Sequence, residues 1–301
     1  MKSAKSLRGL RLTVVTVLAA AVVLGVLQTV IMLTSYEFSQ QLYYRDAPLP
    51  TVMNVLLIAV TIFSAAGAFI TSKGRALPTR HTAVSSVTSF FAAVTAFLIF
   101  GCFAFDFIGV FVTGSSFSTA AQSSMQVQKI FHYAKVIFAI PAGIHLLAIA
   151  LGRTPNRLPA MLLGFGWVMW SAMYLITTYF DMSLPINSPP HVLKQIAFAA
   201  LMLSQLFSLR FILGMGKQHY WITFSLIGTV FGAAASFPML VLTAFGYYPL
   251  SSDILVYGAM LGLTFFTACR VNEYCIAAAS TSDVGADEVS ETDTEETSDE
   301  A

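Results

Sequence analysis

Four ionisable side chains lie along one apolar segment of the chain, KIFHYAKVIFAIPAGIHLLAIA, which covers residues 129–150. They are Lys129, His132, Lys135 and His145. Lysine and histidine at membrane depth are rare, and they pair with acids, line solute pathways or pass protons along a relay. The chemistry that this segment predicts is therefore charge pairing or proton handling in an apolar setting.

Asp106, in the stretch CFAFDFIGV, is the acid expected to pair with Lys135. A short loop joins their two segments, so the side chains can be neighbours, and pairing lowers the cost of placing both charges there. The alternative is that Lys135 reaches back to the membrane surface, because it lies only about 6 residues, or roughly 9 Å, into its segment.

Further polar residues extend this pair into a candidate pocket for a polar solute. Its predicted members are Asp106, His132, Lys135, His145 and Lys194, with Asp181 and His191 near the same level as Lys194. His145 is the deepest group, and it is either a neutral histidine bonded to a neighbouring helix or a proton relay. The alternative for the others is a set of unrelated interfacial charges on separated helices, since charge near the membrane surface is common.

Prolines and small residues predict how the segments pack. Pro141 and Pro238 fall within apolar segments, where a proline removes a backbone hydrogen bond and kinks the helix. A bend at Pro141 is expected to open room for the pocket. Gly228, Gly232 and Ser236 recur every four residues and form a stripe that lets another helix approach closely.

Motifs for catalysis and metal binding are missing from the sequence. There is no H-E-x-x-H, no G-x-S-x-G and no P-loop. The three cysteines make no C-x-x-C pair, and the five histidines show no metal-ligand spacing. We therefore predict no enzyme activity, no catalytic residues, no cofactor and no metal site. The basic residues serve topology and lie beside an acidic tail, so no nucleic-acid partner is expected.

The elements that position these residues are predicted to be membrane-spanning helices. Of 301 residues, 56% are hydrophobic and only 10% are charged, with a mean hydropathy of +0.75, whereas soluble domains carry about 25% charged residues. Eight stretches approach the roughly 20 apolar residues that a helix needs to cross a bilayer. They cover residues 12–34, 52–71, 84–105, 130–151, 160–180, 192–214, 221–245 and 252–270. The predicted fold class is all-α, a polytopic membrane protein built as a bundle of eight transmembrane helices.

The charge distribution predicts the orientation of these helices. Twelve of the sixteen Lys and Arg residues fall on the side of the N-terminus, and basic residues concentrate on the cytoplasmic side of membrane proteins. We therefore expect an integral protein of the plasma (cell) membrane with both termini in the cytoplasm. The predicted domains are a basic N-terminus at 1–11, an eight-span domain at 12–270 and an acidic, disordered cytoplasmic tail at 271–301. The last 21 residues of that tail hold nine acids and no Lys or Arg.

Two loops on the same side suggest an internal duplication. YYRDAPLP at 43–50 follows the first span, and TYFDMSLP at 178–185 follows the fifth. If this likeness is a true repeat, spans one to four and spans five to eight form a 4+4 direct repeat, as in some transporters. The alternative is that short loops reuse Tyr, Asp and Pro as interface anchors and turn formers.

Two functions are compatible with this architecture. The first is a permease-like protein for a small polar solute or ion, which the kinked spans and the ionisable groups favour. The second is a non-transporting membrane scaffold or signalling partner that acts through its acidic cytoplasmic tail, which the shortage of deep charge favours. The expected partners are the lipid bilayer and either an unidentified small solute or a protein.

Overall fold

The computed structural model describes residues 2–38, 42–44, 46–72, 84–113, 122–153, 157–180, 188–215, 218–248 and 253–295. Eight helices in these ranges are long and apolar enough to cross a membrane, which confirms the predicted all-α fold class. They are α1 (Lys2–Ser35), α2 (Leu49–Ser72), α3 (Ser86–Phe107), α4 (Gln122–Ala150), α5 (Arg157–Tyr179), α6 (Pro189–Ile212), α7 (Gln218–Ala244) and α8 (Asp253–Glu295). A π-helical stretch, Ile108–Thr113, continues α3.

The largest difference from the predicted spans is at the end of α8. Val271, Tyr274 and Ala278 are buried in the bundle, and the apolar helix runs to Ala278, eight residues beyond the predicted end at residue 270. Apolar residues spaced three and four apart continue one face of the helix beyond that point. The backbone stays helical as far as Glu295, which differs from the disorder predicted for 271–301. That the acidic segment is dispensable for folding stays a prediction.

A short hairpin follows α1. Its strands β1 (Tyr36–Glu37) and β2 (Leu42–Tyr43) pair antiparallel. The Gln28 amide donates a 2.6 Å hydrogen bond to the Tyr43 hydroxyl, and burial raises the pKa of Tyr43 to about 12. The hairpin therefore anchors the end of α1 with a phenol that stays neutral at physiological pH.

Helices α3 to α8 form a closed ring. Each packs on its neighbour in chain order, and α8 returns to pack on α3. The pair α1 and α2 packs outside this ring, where both helices contact α7 and α1 also contacts α8. The Trp167 ring of α5 lies 5.8 Å from the Phe266 ring of α8, so side chains fill the middle of the ring. The polar groups described below belong to this six-helix ring.

The small-residue stripe of α7 lies between two neighbouring helices. A Cβ added at Gly228 would meet Leu201 of α6 at 3.1 Å, and one added at Gly232 would overlap Thr264 of α8. The Ser236 hydroxyl donates a hydrogen bond to the Gly232 carbonyl, which satisfies the hydroxyl within its own helix. The stripe therefore packs helices of one chain against each other.

Both intramembrane prolines lie inside continuous helices, Pro141 in α4 and Pro238 in α7. A Cβ added at Gly166 of α5 would meet Pro141 Cγ at 2.6 Å. The backbone of α5 therefore fills the space on one side of the proline ring, and the expectation that a bend at Pro141 opens a polar pocket stays a prediction. A kink at either proline stays a prediction.

The 4+4 repeat also stays a prediction. The contact of α1 with α2 matches that of α5 with α6, and the contact of α3 with α4 matches that of α7 with α8. Consecutive helices joined by short loops pack together in most bundles, so these pairs do not distinguish a repeat from ordinary packing. Residues 181–187, which contain part of the second matching loop, lie outside the described residues.

Candidate functional site

Polar groups collect near both faces of the bundle. The terminal face is the face at which α1 starts and the α8 span ends. The opposite face is the face at which α3 ends and α4, α6 and α8 start. Near the opposite face, Lys135 Nζ of α4 lies 2.8 Å from Asp106 Oδ1 of α3. Only 7% of the Lys135 side chain and 19% of the Asp106 side chain are exposed. The expected contact is present, and it is largely removed from both water and lipid.

Tyr174 of α5 completes this ion pair. Its hydroxyl donates a 3.0 Å hydrogen bond to Asp106 Oδ2, and Lys135 Nζ lies 4.5 Å from the centre of its ring. The negative face of an aromatic ring attracts a cation. Each charge thus gains a second partner, which a buried ion pair needs to offset the loss of hydration.

A second ion pair lies near the first. Lys194 Nζ of α6 lies 3.2 Å from Asp253 Oδ1, at the first residue of α8, and 5.0 Å from the centre of the Tyr257 ring. Asp253 also interacts electrostatically with Lys135. Lys194 is buried, whereas 61% of the Asp253 side chain is exposed. We name the two ion pairs together with Tyr174 and Tyr257 the charge cluster. It joins α3, α4, α5, α6 and α8.

A cavity of about 190 Å³ lies near the terminal face. Gly152 and Arg153, which follow α4, line it and are exposed, so the cavity reaches the surface there. We name it the terminal cavity. Its wall consists of Val84, His145, Ile149, Gly152, Arg153, Ala160, Ser204, Gln205, Ser208, Ile212, Trp221, Phe266, Thr267 and Arg270.

Buried polar side chains line the deep part of the terminal cavity. His145 and Gln205 are 4% and 5% exposed, and Gln205 Nε2 lies 3.4 Å from His145 Nε2. When the amide donates to Nε2, a neutral ring carries its proton on Nδ1. That Nδ1 is buried without a hydrogen-bond partner in the described part of the chain. Gly164 of α5 leaves space for this ring, because a Cβ there would meet His145 Nε2 at 3.3 Å.

Arg270 brings a positive charge to the wall of the terminal cavity. Its Nη1 lies 2.9 Å from Glu273 Oε2, one turn later in α8, and 11% of its side chain is exposed. Glu273 Oε1 accepts hydrogen bonds from the Ser85 backbone N–H at 2.9 Å and from the Thr88 hydroxyl at 2.6 Å. The Glu273 carboxylate therefore fixes the guanidinium and joins the start of α3 to α8.

Closely packed aromatic side chains separate the terminal cavity from the charge cluster. Along α5, Gly164 lies beside His145 of the terminal cavity. The buried Trp167 and Trp170 come next along the helix. Tyr174 follows and bonds to Asp106 of the charge cluster. Ring centres of Trp170 and Tyr174 are 4.7 Å apart, and Tyr174 stacks on Phe198 at 5.5 Å. From Gly164 to Tyr174 the helix rises roughly 15 Å. This layer is about half as thick as the hydrocarbon core of a bilayer.

The structure brings together only part of the predicted pocket. Asp106 contacts Lys135, and Lys194 lies in the same charge cluster but pairs with Asp253. His145 belongs to the terminal cavity instead, because the stretch of α4 from Lys135 to His145 rises roughly 15 Å. One pocket therefore does not hold all five residues.

The remaining predicted members lie around the charge cluster or outside the described residues. His132 is half-buried in α4, one turn before Lys135. His191 is buried in the first turn of α6, close to Lys194 along the helix. Asp181 lies outside the described residues. A role of these residues in solute binding stays a prediction.

Sequence reasoning missed Tyr174, Asp253 and the position of Arg270 in the cavity wall. Tyr174 is one of several aromatic residues in its span, and nothing in the sequence marks the one that faces Asp106. Asp253 could have been found, because it is one of few acids before the tail and begins a span at the face where Lys194 lies. Arg270 was assigned to topology alone, since an arginine at a span end is common for that reason.

No family model matches the chain, and comparisons with curated proteins and with solved structures found no match. Within the described residues, no group of three His, Cys, Asp or Glu side chains is placed to hold a metal ion. The features that bear on function are the charge cluster, the terminal cavity and the packed layer between them.

Proposed function

We propose that the protein is a permease-like carrier for a small polar solute or ion in the plasma membrane. The observation that carries this proposal is that the buried polar groups of the terminal cavity can be reached from one face of the bundle only. The terminal cavity reaches the buried His145 and Gln205 from one face, while the packed aromatic layer and the charge cluster close the route from the other. A carrier with alternating access keeps its route closed on one side while the route is open on the other.

The charge cluster is suited to act as a barrier that opens. Its ion pairs join separate helices through N···O contacts of 2.8 Å and 3.2 Å. Such contacts can be exchanged for contacts with water or solute when packed helices shift. Ionisable groups that face the interior of a membrane bundle mark ion and solute pathways. This placement supports transport over a purely structural role.

The terminal face is proposed to be cytoplasmic. Arg153 and Arg270 lie at this face, together with most of the basic residues near the span ends, and basic residues concentrate on the cytoplasmic side. Both termini are then in the cytoplasm. Under this orientation the terminal cavity opens to the cytoplasm and the charge cluster faces the exterior.

Cysteine accessibility from each side tests this proposal. In a background with Cys102, Cys269 and Cys275 replaced by Ser, a membrane-impermeant maleimide should label Ala160→Cys in the cavity wall from the cytoplasmic side only. Thr178→Cys, buried in α5 toward the opposite face, should label slowly from the exterior. Asp106→Asn, which weakens the charge cluster, should speed that labelling.

Two controls and a transport assay complete the test. Asp46→Asn removes an exposed acid outside the charge cluster and should leave the labelling of position 178 unchanged. Proteoliposomes are then exposed to radiolabelled anions, cations, sugars and amino acids, and one class should enter faster than into protein-free liposomes. No labelling from the exterior in any variant, together with no uptake, would refute the carrier. That result would favour the non-transporting scaffold that acts through residues 271–301.

A further inference from the structure

The charged residues that line the terminal cavity are both arginines. Among the described residues of its wall, Arg153 and Arg270 carry charge, and no Asp or Glu is present. Glu273 balances Arg270 from outside the wall, so Arg153 leaves the entrance positive. A cavity with this distribution of charge attracts anions and repels cations.

The buried end of the terminal cavity offers a hydrogen-bond donor. In the tautomer whose Nε2 accepts from Gln205, His145 carries its ring proton on Nδ1, which is buried and has no partner in the part of the chain that the structure describes. An unsatisfied buried donor is unfavourable. Nδ1 has almost no surface open to the cavity, so a carboxylate oxygen would remove this penalty only after the ring turns toward the cavity. The hydroxyl-bearing Ser208 lies in the cavity wall.

Large apolar side chains cover much of the remaining wall, beside the hydroxyl groups of Ser204 and Thr267. Ile149, Ile212, Trp221 and Phe266 line it. The volume of about 190 Å³ corresponds to roughly six water molecules at about 30 Å³ each. A ligand of a few carbon atoms with one charged group fits this space.

We infer that the terminal cavity binds a small organic monoanion, a carboxylate with a short apolar body. Arg270 and His145 receive the carboxylate, and the apolar body lies against Trp221 and Phe266. This inference names the solute class of the proposed carrier and in that sense rests on the proposed function. Arg270 differs from an arginine that only sets topology, because Glu273 holds the Arg270 side chain in the cavity wall. Arg210, near the same face, is exposed.

Binding to the purified full-length protein in detergent tests the inference. The probes are butyrate, 1-butanol and butylammonium, which share an apolar body and differ in charge. Because Trp221 lines the cavity, tryptophan fluorescence reports occupancy, and isothermal titration calorimetry gives the Kd. Butyrate should bind saturably, and each of the other two should bind about tenfold more weakly or worse.

Matched variants locate the site. Arg270→Gln should weaken butyrate binding about tenfold or more, Arg270→Lys should recover part of it, and Arg210→Gln should leave the Kd unchanged. Since Arg270→Gln also removes the contact with Glu273, the unfolding temperature is measured in parallel. His145→Phe keeps the Arg270–Glu273 pair and gives an independent loss of affinity. The inference would be overturned if the three probes bound equally or if butylammonium bound more tightly than butyrate. Equal effects of Arg270→Gln and Arg210→Gln would also overturn it.

The inference and the proposed function fail in different ways. Butyrate binding without uptake of any solute into proteoliposomes would retain the anion site and remove the carrier. Uptake of a cation or a sugar without butyrate binding would retain the carrier and remove the anion site. Butyrate binding together with butyrate uptake, both lost in Arg270→Gln, supports the two together.

Discussion

The Thr88 hydroxyl in the first turn of α3 donates a 2.6 Å hydrogen bond to Glu273 Oε1 of α8. The same carboxylate accepts the backbone N–H of Ser85, the N-cap residue of α3, and pairs with Arg270. One side chain therefore satisfies the start of one helix, holds the arginine of the terminal cavity and joins the two ends of the six-helix ring.

Replacing Glu273 by Ala should lower the free energy of unfolding in detergent by about 1–3 kcal/mol. The reason is that Thr88 and Arg270 both lose a buried acceptor. Denaturant titration followed by circular dichroism measures the change. Asp46→Ala removes an exposed acid and should change stability by less than about 0.5 kcal/mol. Equal effects of the two substitutions would contradict this role of Glu273.

The contact between Lys135 and Asp106 should appear as energetic coupling. Lys135→Met is expected to destabilise the protein, because it leaves a buried carboxylate without its cation, and Asp106→Asn should partly restore stability. A double-mutant cycle on unfolding in detergent should give a coupling of about 0.5–2 kcal/mol. A coupling of zero would mean that the two charges contribute to stability independently.

Tyr174→Phe should isolate the hydrogen bond to Asp106. The substitution keeps the ring under Lys135 and removes only the hydroxyl donor, so the expected loss of unfolding free energy is about 1 kcal/mol. Tyr179→Phe, on the same helix with 65% of the residue exposed, is the control and should be close to neutral. A neutral Tyr174→Phe would show that Asp106 finds another donor.

The fold could be predicted from the sequence because helices that cross a bilayer obey a length requirement. Each span needs roughly 20 apolar residues, and Gly, Pro and charged residues interrupt the chain between them. The order of the helices around the ring could not be predicted from the length and composition of the spans. Nothing in the local sequence of α8 states that it returns to α3, since that contact depends on side chains such as Thr88 and Glu273 that lie 185 residues apart.

The site was predictable where charge had to be compensated nearby. Asp106 and Lys135 follow from the shortage of acids and the short loop between their spans. The separation of His145 from Lys135 follows from helix geometry, yet the partner of His145 does not, because a glutamine in an apolar span can face any neighbour. The terminal cavity exists because the side chains at five helix ends leave space between them. The periodicity of apolar residues in the sequence does not show how such side chains fit together.

Gly232→Ala should destabilise the protein by about 1–3 kcal/mol, because the added methyl group overlaps Thr264 of α8. Thr264→Ala in the same chain should recover part of the loss by making room. Thermal unfolding in detergent measures both effects. Gly9→Ala is the matched control, since a Cβ there would meet only Thr71 Cγ2 at 3.9 Å, and its effect should be small.

Deleting residues 281–301 should leave the unfolding temperature in detergent unchanged. The segment holds nine acids and few apolar side chains, so it has little to bury. The same deletion should also leave butyrate binding unchanged, because the cavity wall ends at Arg270. A drop of several degrees would mean that the acidic segment packs on the basic residues of the terminal face.

The return of α8 to α3 sets an order for assembly during synthesis. Asp106 and Lys135 lie on consecutive helices and can meet as soon as both are inserted, whereas Lys194 must wait for Asp253. Contacts between distant segments form late, and domains assemble from the N-terminus during translation. A chain interrupted after α7 would hold Lys194 without its acid and the start of α3 without the Glu273 carboxylate. Such an intermediate would carry an uncompensated lysine charge, which the last helix to be inserted neutralises.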